Sequence, residues 1–316
     1  MAHSLGHCML RFIGAFQPPK IETWQPFTWR GLRFANRLGV AGGLDKNAHL
    51  LSGFWALGAG FLEIGTITPR AQTANLGKCF GRDNKTESVW NHLGFPNEGA
   101  DKILQRLSQL VRPYPTPIFI NIGKNRDTLL ARAHEDYIQL IEKFSPIADA
   151  FVINISSPNT KDLRDLLHPV RLEEFLRPVI AASRAIPILL KLSPDVTNQE
   201  LISCLEISNA VGISGWILTN TTLARTEGTA KLYPKEGGVS GRPLAARSIE
   251  MLKMAIEHLG DRREGKLIVS VGGVMSPQDV FDRLRLGAQL VQIYTALVFN
   301  GPKFFHEVSH QARQVE

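Results

Sequence analysis

Ser157 lies in a stretch, Phe151 to Thr160, that opens as an apolar β-branched run and turns abruptly into Asn154, Ser156, Ser157, Pro158, Asn159 and Thr160. An apolar run closed by Pro and Asn reads as a buried strand entering a loop. Its polar cluster therefore falls at a strand's C-terminal end, where parallel α/β folds carry their chemistry. No Gly-x-Ser-x-Gly elbow surrounds the serine, which argues against a nucleophile. Held between amide side chains, it suits a general base or relay for one difficult proton. A Ser/Asn-rich turn that merely caps a strand accounts for the same residues.

Two lysines have the same kind of placement. Lys46 and Lys191 stand at the ends of core strands, where a lysine is seldom found without an anion to meet. As cations they stabilise negative charge on a reduced flavin or hold a substrate carboxylate; for Lys191 a Schiff-base role, as in an aldolase, is the rival. Asn91, Asn121, Asn154, Asn159 and Asn220 can read a planar ring of alternating N–H and C=O, since each amide both donates and accepts. Gly272-Gly273 after an apolar strand, with Ser276-Pro277 opening the next helix, resembles a barrel phosphate site, and Gly241 offers a second set of amides. Tight turns needing positive φ explain either glycine cluster alone. No His/Asp/Glu/Cys cluster suits a metal.

The elements that must position these groups alternate strand with helix from Arg30 onward. Strands are predicted at Leu38–Ala41, Phe61–Ile64, Ile118–Ile122, Ala150–Ile155, Ile188–Leu192, Trp216–Leu218, Leu267–Val271 and Leu290–Tyr294. Helices are predicted near Ala48–Leu57, Ala100–Val111, Leu129–Phe144, Leu172–Ala185, Gln199–Asn209, Ala245–Leu259 and Pro277–Leu286, with a last one from Pro302. Eight strands in this alternation predict an α/β fold, a (β/α)8 TIM barrel with long βα loops over its C-terminal face. A doubly wound open sheet is the alternative, but no Gly-x-Gly-x-x-Gly follows the first strand. Polar residues follow nearly every strand, so their tips converge on one barrel mouth. The connections Pro69–Phe95 and Asn220–Gly241 are too long for turns and read as functional lids or small subdomains, with Glu87–Trp90 as one strand of a hairpin. Ahead of the barrel, residues 1–29 read as a separate segment: a helix over Ala2–Phe16 with the apolar stripe Leu5, Cys8, Met9, Phe12, Ile13 and Phe16, then a loop carrying Trp24, Phe27 and Trp29. The barrel takes residues 30–316.

Composition narrows the partners. The chain of 316 residues is 44% hydrophobic and 21% charged, ordinary for a globular protein. Its net charge of +7 favours acidic partners, yet the basic residues are scattered and form no nucleic-acid stripe. Three distant cysteines, Cys8, Cys79 and Cys204, make neither a zinc site nor a disulfide framework and point to a reducing compartment. No run reaches the roughly 18 apolar residues that span a membrane.

Taken in order, Ala41-Gly42-Gly43-Leu44-Asp45-Lys46, Glu63-Ile64-Gly65-Thr66, Asn121-Ile122-Gly123-Lys124-Asn125, Asn154-Ile155-Ser156-Ser157-Pro158-Asn159-Thr160, Thr219-Asn220-Thr221-Thr222, Gly238-Val239-Ser240-Gly241-Arg242-Pro243 and Val291-Gln292-Ile293-Tyr294-Thr295 resemble the dihydroorotate dehydrogenase family. The likeness runs from Gly31 to the end of the barrel. It implies an FMN-containing (β/α)8 barrel that oxidises dihydroorotate to orotate in pyrimidine synthesis. The position of Ser157 resembles the membrane-associated, quinone-reducing class, whose base is serine. By this resemblance Ser157 takes the C5 proton while the C6 hydride passes to the flavin. The substrate is implied to lie among Lys46, Asn91, His92, Leu93, Gly94, Phe95, Asn154, Asn159, Asn220 and Thr221, with Thr160 and Phe95 controlling solvent. FMN is implied to lie against Gly42, Gly43, Leu44, Asp45, Lys46, Thr66, Asn121, Asn154, Lys191, Thr219, Gly241, Gly273, Tyr294 and Thr295.

The family pattern is broken in three places. Asn91-His92-Leu93-Gly94-Phe95 has His92 where the family commonly has arginine, which removes a fixed cation. The loop Leu76-Gly77-Lys78-Cys79-Phe80-Gly81-Arg82 differs from the Pro/Arg-rich loop of the family's quinone tunnel, and one N-terminal helix stands for two. The resemblance implies dihydroorotate and a quinone as small-molecule partners and no nucleic acid. It also implies peripheral contact with a membrane facing a reducing compartment, such as the cytoplasmic side of a bacterial inner membrane, or else a cytoplasmic location. A different electron acceptor on the same barrel is the nearest alternative. A tRNA dihydrouridine synthase would want a catalytic cysteine at a strand tip, which neither Cys79 nor Cys204 supplies.

Overall fold

The computed structural model describes residues 2–315, with side chains described for residues 6–314. Its first helix, α1 (Ala2–Phe16), crosses α2 (Leu51–Ala56) at a glycine-to-glycine contact. A Cβ on Gly14 would overlap the Gly53 backbone, and a Cβ on Gly53 would overlap the Leu10 carbonyl. Only glycine lets the two backbones come this close.

Between them β1 (Phe27–Trp29) and β2 (Leu32–Phe34) form an antiparallel hairpin where the sequence reads as loop. Its two-residue turn, Arg30-Gly31, has φ of 48° and 80°. Such a turn normally announces itself as Asn-Gly or Asp-Gly, so an arginine in the left-handed position hides it. The hairpin plugs the barrel: Phe34 sits edge-on to Phe61 and Phe119, with ring centroids 5.9 and 6.2 Å away. A boundary between residues 29 and 30 falls inside this hairpin.

The barrel strands follow in chain order, interrupted by lid strands. They are β3 (Leu38–Val40), β4 (Phe61–Ile67), then the lid strands β5 (Phe80–Asp83) and β6 (Ser88–Asn91), then β7 (Ile118–Ile122), β8 (Ala150–Asn154), β9 (Ile188–Leu192), β10 (Gly215–Leu218), the lid strand β11 (Gly238–Gly241), β12 (Leu267–Val271) and β13 (Leu290–Ile293). The eight non-lid members from β3 onward close into one parallel barrel, β3-β4-β7-β8-β9-β10-β12-β13. A closed sheet excludes the doubly wound alternative. The observed strands match the predicted ones to within one residue at each end, except that β4 runs on to Ile67.

Side chains two apart on a strand face the same side. The inward pairs are Phe61 and Glu63, Phe119 and Asn121, Val152 and Asn154, Leu189 and Lys191, and Leu290 and Gln292. The lower member of each pair is apolar and packs in one buried cluster with Trp29 and Phe34. The upper member is polar and lies two residues nearer the C-terminal end of its strand. One step of strand alternation thus converts a greasy plug into a polar floor.

The two long connections meet over this floor. Strands β5, β6 and β11 form a three-stranded antiparallel lid, with β6 in the middle. Arg225 ties the base of the second connection by donating to the carbonyls of Leu223 (2.9 Å) and Gly237 (2.8 Å).

Candidate active site

Under the lid lies a cavity of about 990 Å3, counting the open space at its mouth. Of the residues singled out in the sequence, Gly42, Gly43, Lys46, Thr66, Asn91, Leu93, Gly94, Phe95, Asn121, Asn154, Ser157, Asn159, Lys191, Thr219, Asn220, Thr221, Gly273, Tyr294 and Thr295 line it. Residues spread over 250 positions of chain meet here because each follows or ends a barrel strand or a lid strand.

A chain of amides runs across one wall. Asn154 Nδ2 donates to Thr66 Oγ1 at 2.9 Å and Asn121 Oδ1 at 3.3 Å, and its Oδ1 accepts from Asn220 Nδ2 at 3.2 Å. Asn159 Nδ2 donates to Asn91 Oδ1 at 2.8 Å, joining the serine loop to the lid. Each bond fixes which end of an amide faces the cavity. Ser157 lines the cavity beside them and accepts from the Asn159 N–H at 3.2 Å. Ser156 is fully buried and turned away, its hydroxyl donating to Asn154 Oδ1 and accepting from Asn220 Nδ2 at 3.0 Å. Arg164 braces both loops from behind, donating to the Ser156 and Thr221 carbonyls and pairing with Asp195 at 2.6 Å.

Glu63 organises the floor. It is fully buried and accepts from Lys191 Nζ at 2.8 Å, Gln292 Nε2 at 2.8 Å and Asn121 Nδ2. Three strands are thereby tied to β4 through one carboxylate. Gln292 spends its donor on Glu63, and its Oε1 is buried without a partner. Asn159 Oδ1 is likewise unpartnered. Sequence reading gave roles to neither Glu63 nor Gln292. Each is a polar residue inside an otherwise apolar core strand, the same signal that singled out Lys191.

Lys46 donates to the Gly43 carbonyl, and burial pushes its ammonium down to about 8, with Asp45 offsetting part of that shift. A cation held this way gains from an anionic ligand. Tyr294, whose ring lies beside Gly43, is pushed up to about 12 by burial, so it stays a neutral hydroxyl.

Four of the residues expected against substrate or FMN lie elsewhere, and Thr160 is not in the cavity wall either. Asp45 turns its carboxylate onto the His49 and Leu50 N–H groups at 2.9 and 2.7 Å and shapes its own loop. Leu44 points into a second cavity. His92 stands behind the wall, stacked near-parallel on Trp90 with its Nε2 3.3 Å from Asn75. At the lid, Ser240 rather than Gly241 lines the cavity, bonded to Thr295 at 2.8 Å. The helix Pro277–Arg285 also departs from expectation. Its N-terminus is closed by its own capping box, in which Asp279 accepts from the Met275 and Ser276 N–H groups. The cavity wall is made instead by Gly272, Gly273, Val274, Tyr294 and Thr295.

The second cavity, about 970 Å3 with its open mouth included, lies between α1 and the barrel. Met9, Leu10, Leu44, Leu50, Phe54, Leu57, Phe80, Leu297 and Val298 make it mostly apolar, with His7 and Arg82 at its edge. Leu44 on one wall and Gly43 on the other make the same short loop a partition between the two cavities.

The family model for dihydroorotate dehydrogenase matches residues 27–315. The chain belongs to the dihydroorotate dehydrogenase family. It is 44% identical over 276 residues to dihydroorotate dehydrogenase (quinone) of Thermus thermophilus, covering 87% of this chain and 78% of that one. The protein of the same name from Dichelobacter nodosus is 39% identical over 316 residues, 97% of this chain and 92% of that one. Among solved structures, Eimeria tenella DHODH in complex with ferulenol superposes with a TM-score of 0.86 at 29% identity, covering 99% of this chain and 91% of that one. Family membership sets aside the aldolase and tRNA-modifying alternatives. The geometry agrees for both: Lys191 is committed to Glu63, and Cys204 is buried with its thiol pushed up to about 12.

Proposed function

We propose that this dihydroorotate dehydrogenase oxidises dihydroorotate to orotate with FMN held in the polar cavity, and passes the electrons to a quinone in the apolar cavity under α1. The carrying observation is Ser157, which faces the cavity between amides that suit an orotate ring, with the Lys46 ammonium available for its carboxylate.

The residues present fit a flavin mononucleotide. The orphaned Gln292 Oε1 at the floor suits a ring N–H, Lys191 suits the electron-rich edge of a reduced ring, and the Gly272–Val274 turn with Thr295 suits a phosphate. FMN supplies there a two-electron acceptor for the hydride that leaves C6 of dihydroorotate. The chain's own contribution is the other half of the oxidation: Ser157 accepts the C5 proton as the ring becomes planar. Asn91, Asn154, Asn159 and Asn220 hold the ring so that C5 faces Ser157, and Phe95 and the lid exclude water.

The apolar cavity has the lining a quinone ring and tail require, and the Gly43-Leu44 partition keeps the two half-sites adjacent but separate. Among the described residues no helix is long and apolar enough to cross a membrane. Peripheral contact through the exposed Met9, Phe12 and Phe16 fits the delivery of a lipid-soluble quinone.

Anaerobic addition of dihydroorotate to the purified protein is expected to bleach a flavin spectrum. Reoxidation is then expected with a quinone and not with fumarate or NAD. A colourless protein, or one reoxidised fastest by NAD, refutes the corresponding half of the proposal.

A further inference from the structure

Arg283, on the inner face of the helix Pro277–Arg285, is only 1% exposed. A buried guanidinium is unfavourable unless its donors are met and its charge is balanced. Its hydrogen bonds go only to neutral oxygens: Nη1 to Ser270 Oγ at 2.9 Å, and Nη2 to Ser248 Oγ at 2.9 Å and the Gly272 carbonyl at 2.6 Å. Its Nε has no partner. Among the described residues no carboxylate pairs with it. The nearest acids on its helix are committed elsewhere, Asp279 to the Met275 and Ser276 N–H groups and Asp282 to Gln278 and Arg285. Burial pushes the guanidinium down to about 10, against the pull of Asp279 and Asp282, and it remains cationic. The fold thus keeps a guanidinium with no carboxylate in contact directly behind the Gly272-Gly273 turn, its nearest counter-charges being Asp279 and Asp282.

The same contacts orient that turn. The Gly272 carbonyl accepts from both Arg283 Nη2 and Ser248 Oγ, each at 2.6 Å. In a trans peptide the N–H points opposite to the C=O. Gripping the Gly272 oxygen from the helix side therefore turns the Gly273 N–H the other way, toward the cavity that both glycines line. We propose that Arg283 is the positioning residue for the cofactor's phosphate: it holds the Gly272 peptide so that the Gly273 N–H faces the anion, and it sets a buried positive charge behind that N–H. This rests on the flavin mononucleotide reading above. It assigns to a residue outside the cavity wall the preference for a phosphorylated flavin over an unphosphorylated one.

The test strips flavin from the purified protein and titrates it with FMN and with riboflavin, which lacks the phosphate. Wild type is expected to prefer FMN. Arg283→Met is expected to weaken FMN at least tenfold and leave riboflavin within twofold. Arg283→Lys, which keeps the charge but not the two-pronged grip, should fall between them. Should Arg283→Met give no folded protein by circular dichroism, Arg283→Lys and Ser248→Ala decide on the same ratio, each lowering it several-fold. Equal weakening of both flavins, or an unchanged ratio in every variant, overturns the role of Arg283 while leaving the flavin reading intact. A wild type that binds neither flavin overturns both.

Discussion

Glu63 and Lys191 form an ion pair at 2.8 Å across the barrel floor, one on β4 and the other on β9, 128 residues apart. Glu63 is fully buried and its partner nearly so. Their pairing fixes the lysine in place and also ties it to the Gln292 and Asn121 amides that donate to the same carboxylate.

Breaking such a pair from one side leaves an uncompensated buried charge, which costs about 3–5 kcal/mol. Glu63→Gln and Lys191→Met are each expected to lose stability on that scale in urea unfolding. The double variant should lose less than the sum. Lys191→Met should also lower the flavin potential and weaken FMN retention, since the cation beside the reduced ring is gone. Additive losses in the double variant would show that the pair is not coupled.

Ser157→Ala is expected to keep FMN and bind orotate, yet lose turnover on the order of 10²-fold or more, as for a missing general base. Full activity at several pH values would remove Ser157 from the mechanism. Strand alternation alone makes Ser156 a bystander. Its hydroxyl nevertheless bridges Asn154 and Asn220, so Ser156→Ala should raise the KM for dihydroorotate while sparing kcat more than the Ser157 change does.

Lys46 provides the pH dependence. Its folded value of about 8 lies below the ordinary 10.5, so between those limits the unfolded chain binds more protons. The stability contributed by this group therefore rises with pH from 8 to 10.5, where the cost of burying an ammonium fades. Carboxylate binding runs the opposite way, because it needs the ammonium. Orotate affinity should be flat below pH 7.5 and fall by roughly tenfold per unit well above pH 8. Lys46→Met should bind orotate weakly and without that slope; an unchanged slope would assign the titration to another group.

Phe12 and Phe16 are 66% and 73% exposed, with ring centroids 4.7 Å apart on the outer face of α1. Burying such rings in a bilayer surface is worth about 1.5–3 kcal/mol each. The double change of both to Ser should reduce vesicle binding and turnover with a long-chain quinone, with flavin reduction by dihydroorotate unaffected. Deleting residues 1–17 should slow quinone reoxidation further, because it also removes one wall of the apolar cavity. Of the predicted stripe Met9 lines that cavity, next to Leu10 from outside the stripe, whereas the side chain of Leu5 lies outside the described residues. Quinone turnover indifferent to both changes would leave α1 a packing element only.

Local periodicity determined much of this protein in advance. Eight apolar runs, each ending in a polar tip, specify a parallel barrel with its chemistry at one mouth, because period-two alternation and strand length are written in neighbouring residues. The facing of Ser157 and the core position of Lys191 follow from the same alternation. Tertiary structure alone decided which distant side chains meet. Nothing near Glu63 in the chain announces Lys191, Gln292 and Asn121 as its partners; only the closed order of strands brings them within 3 Å. The lid is likewise built from β6 and β11, whose pairing no local pattern encodes. Ser276-Pro277, read locally, opens a helix able to meet an anion, yet in the fold Asp279 takes the Met275 and Ser276 amides and it is the Gly272 turn that lines the cavity. Sequence spacing sets the direction of a side chain from its strand, but the contact it makes depends on closure of the whole sheet.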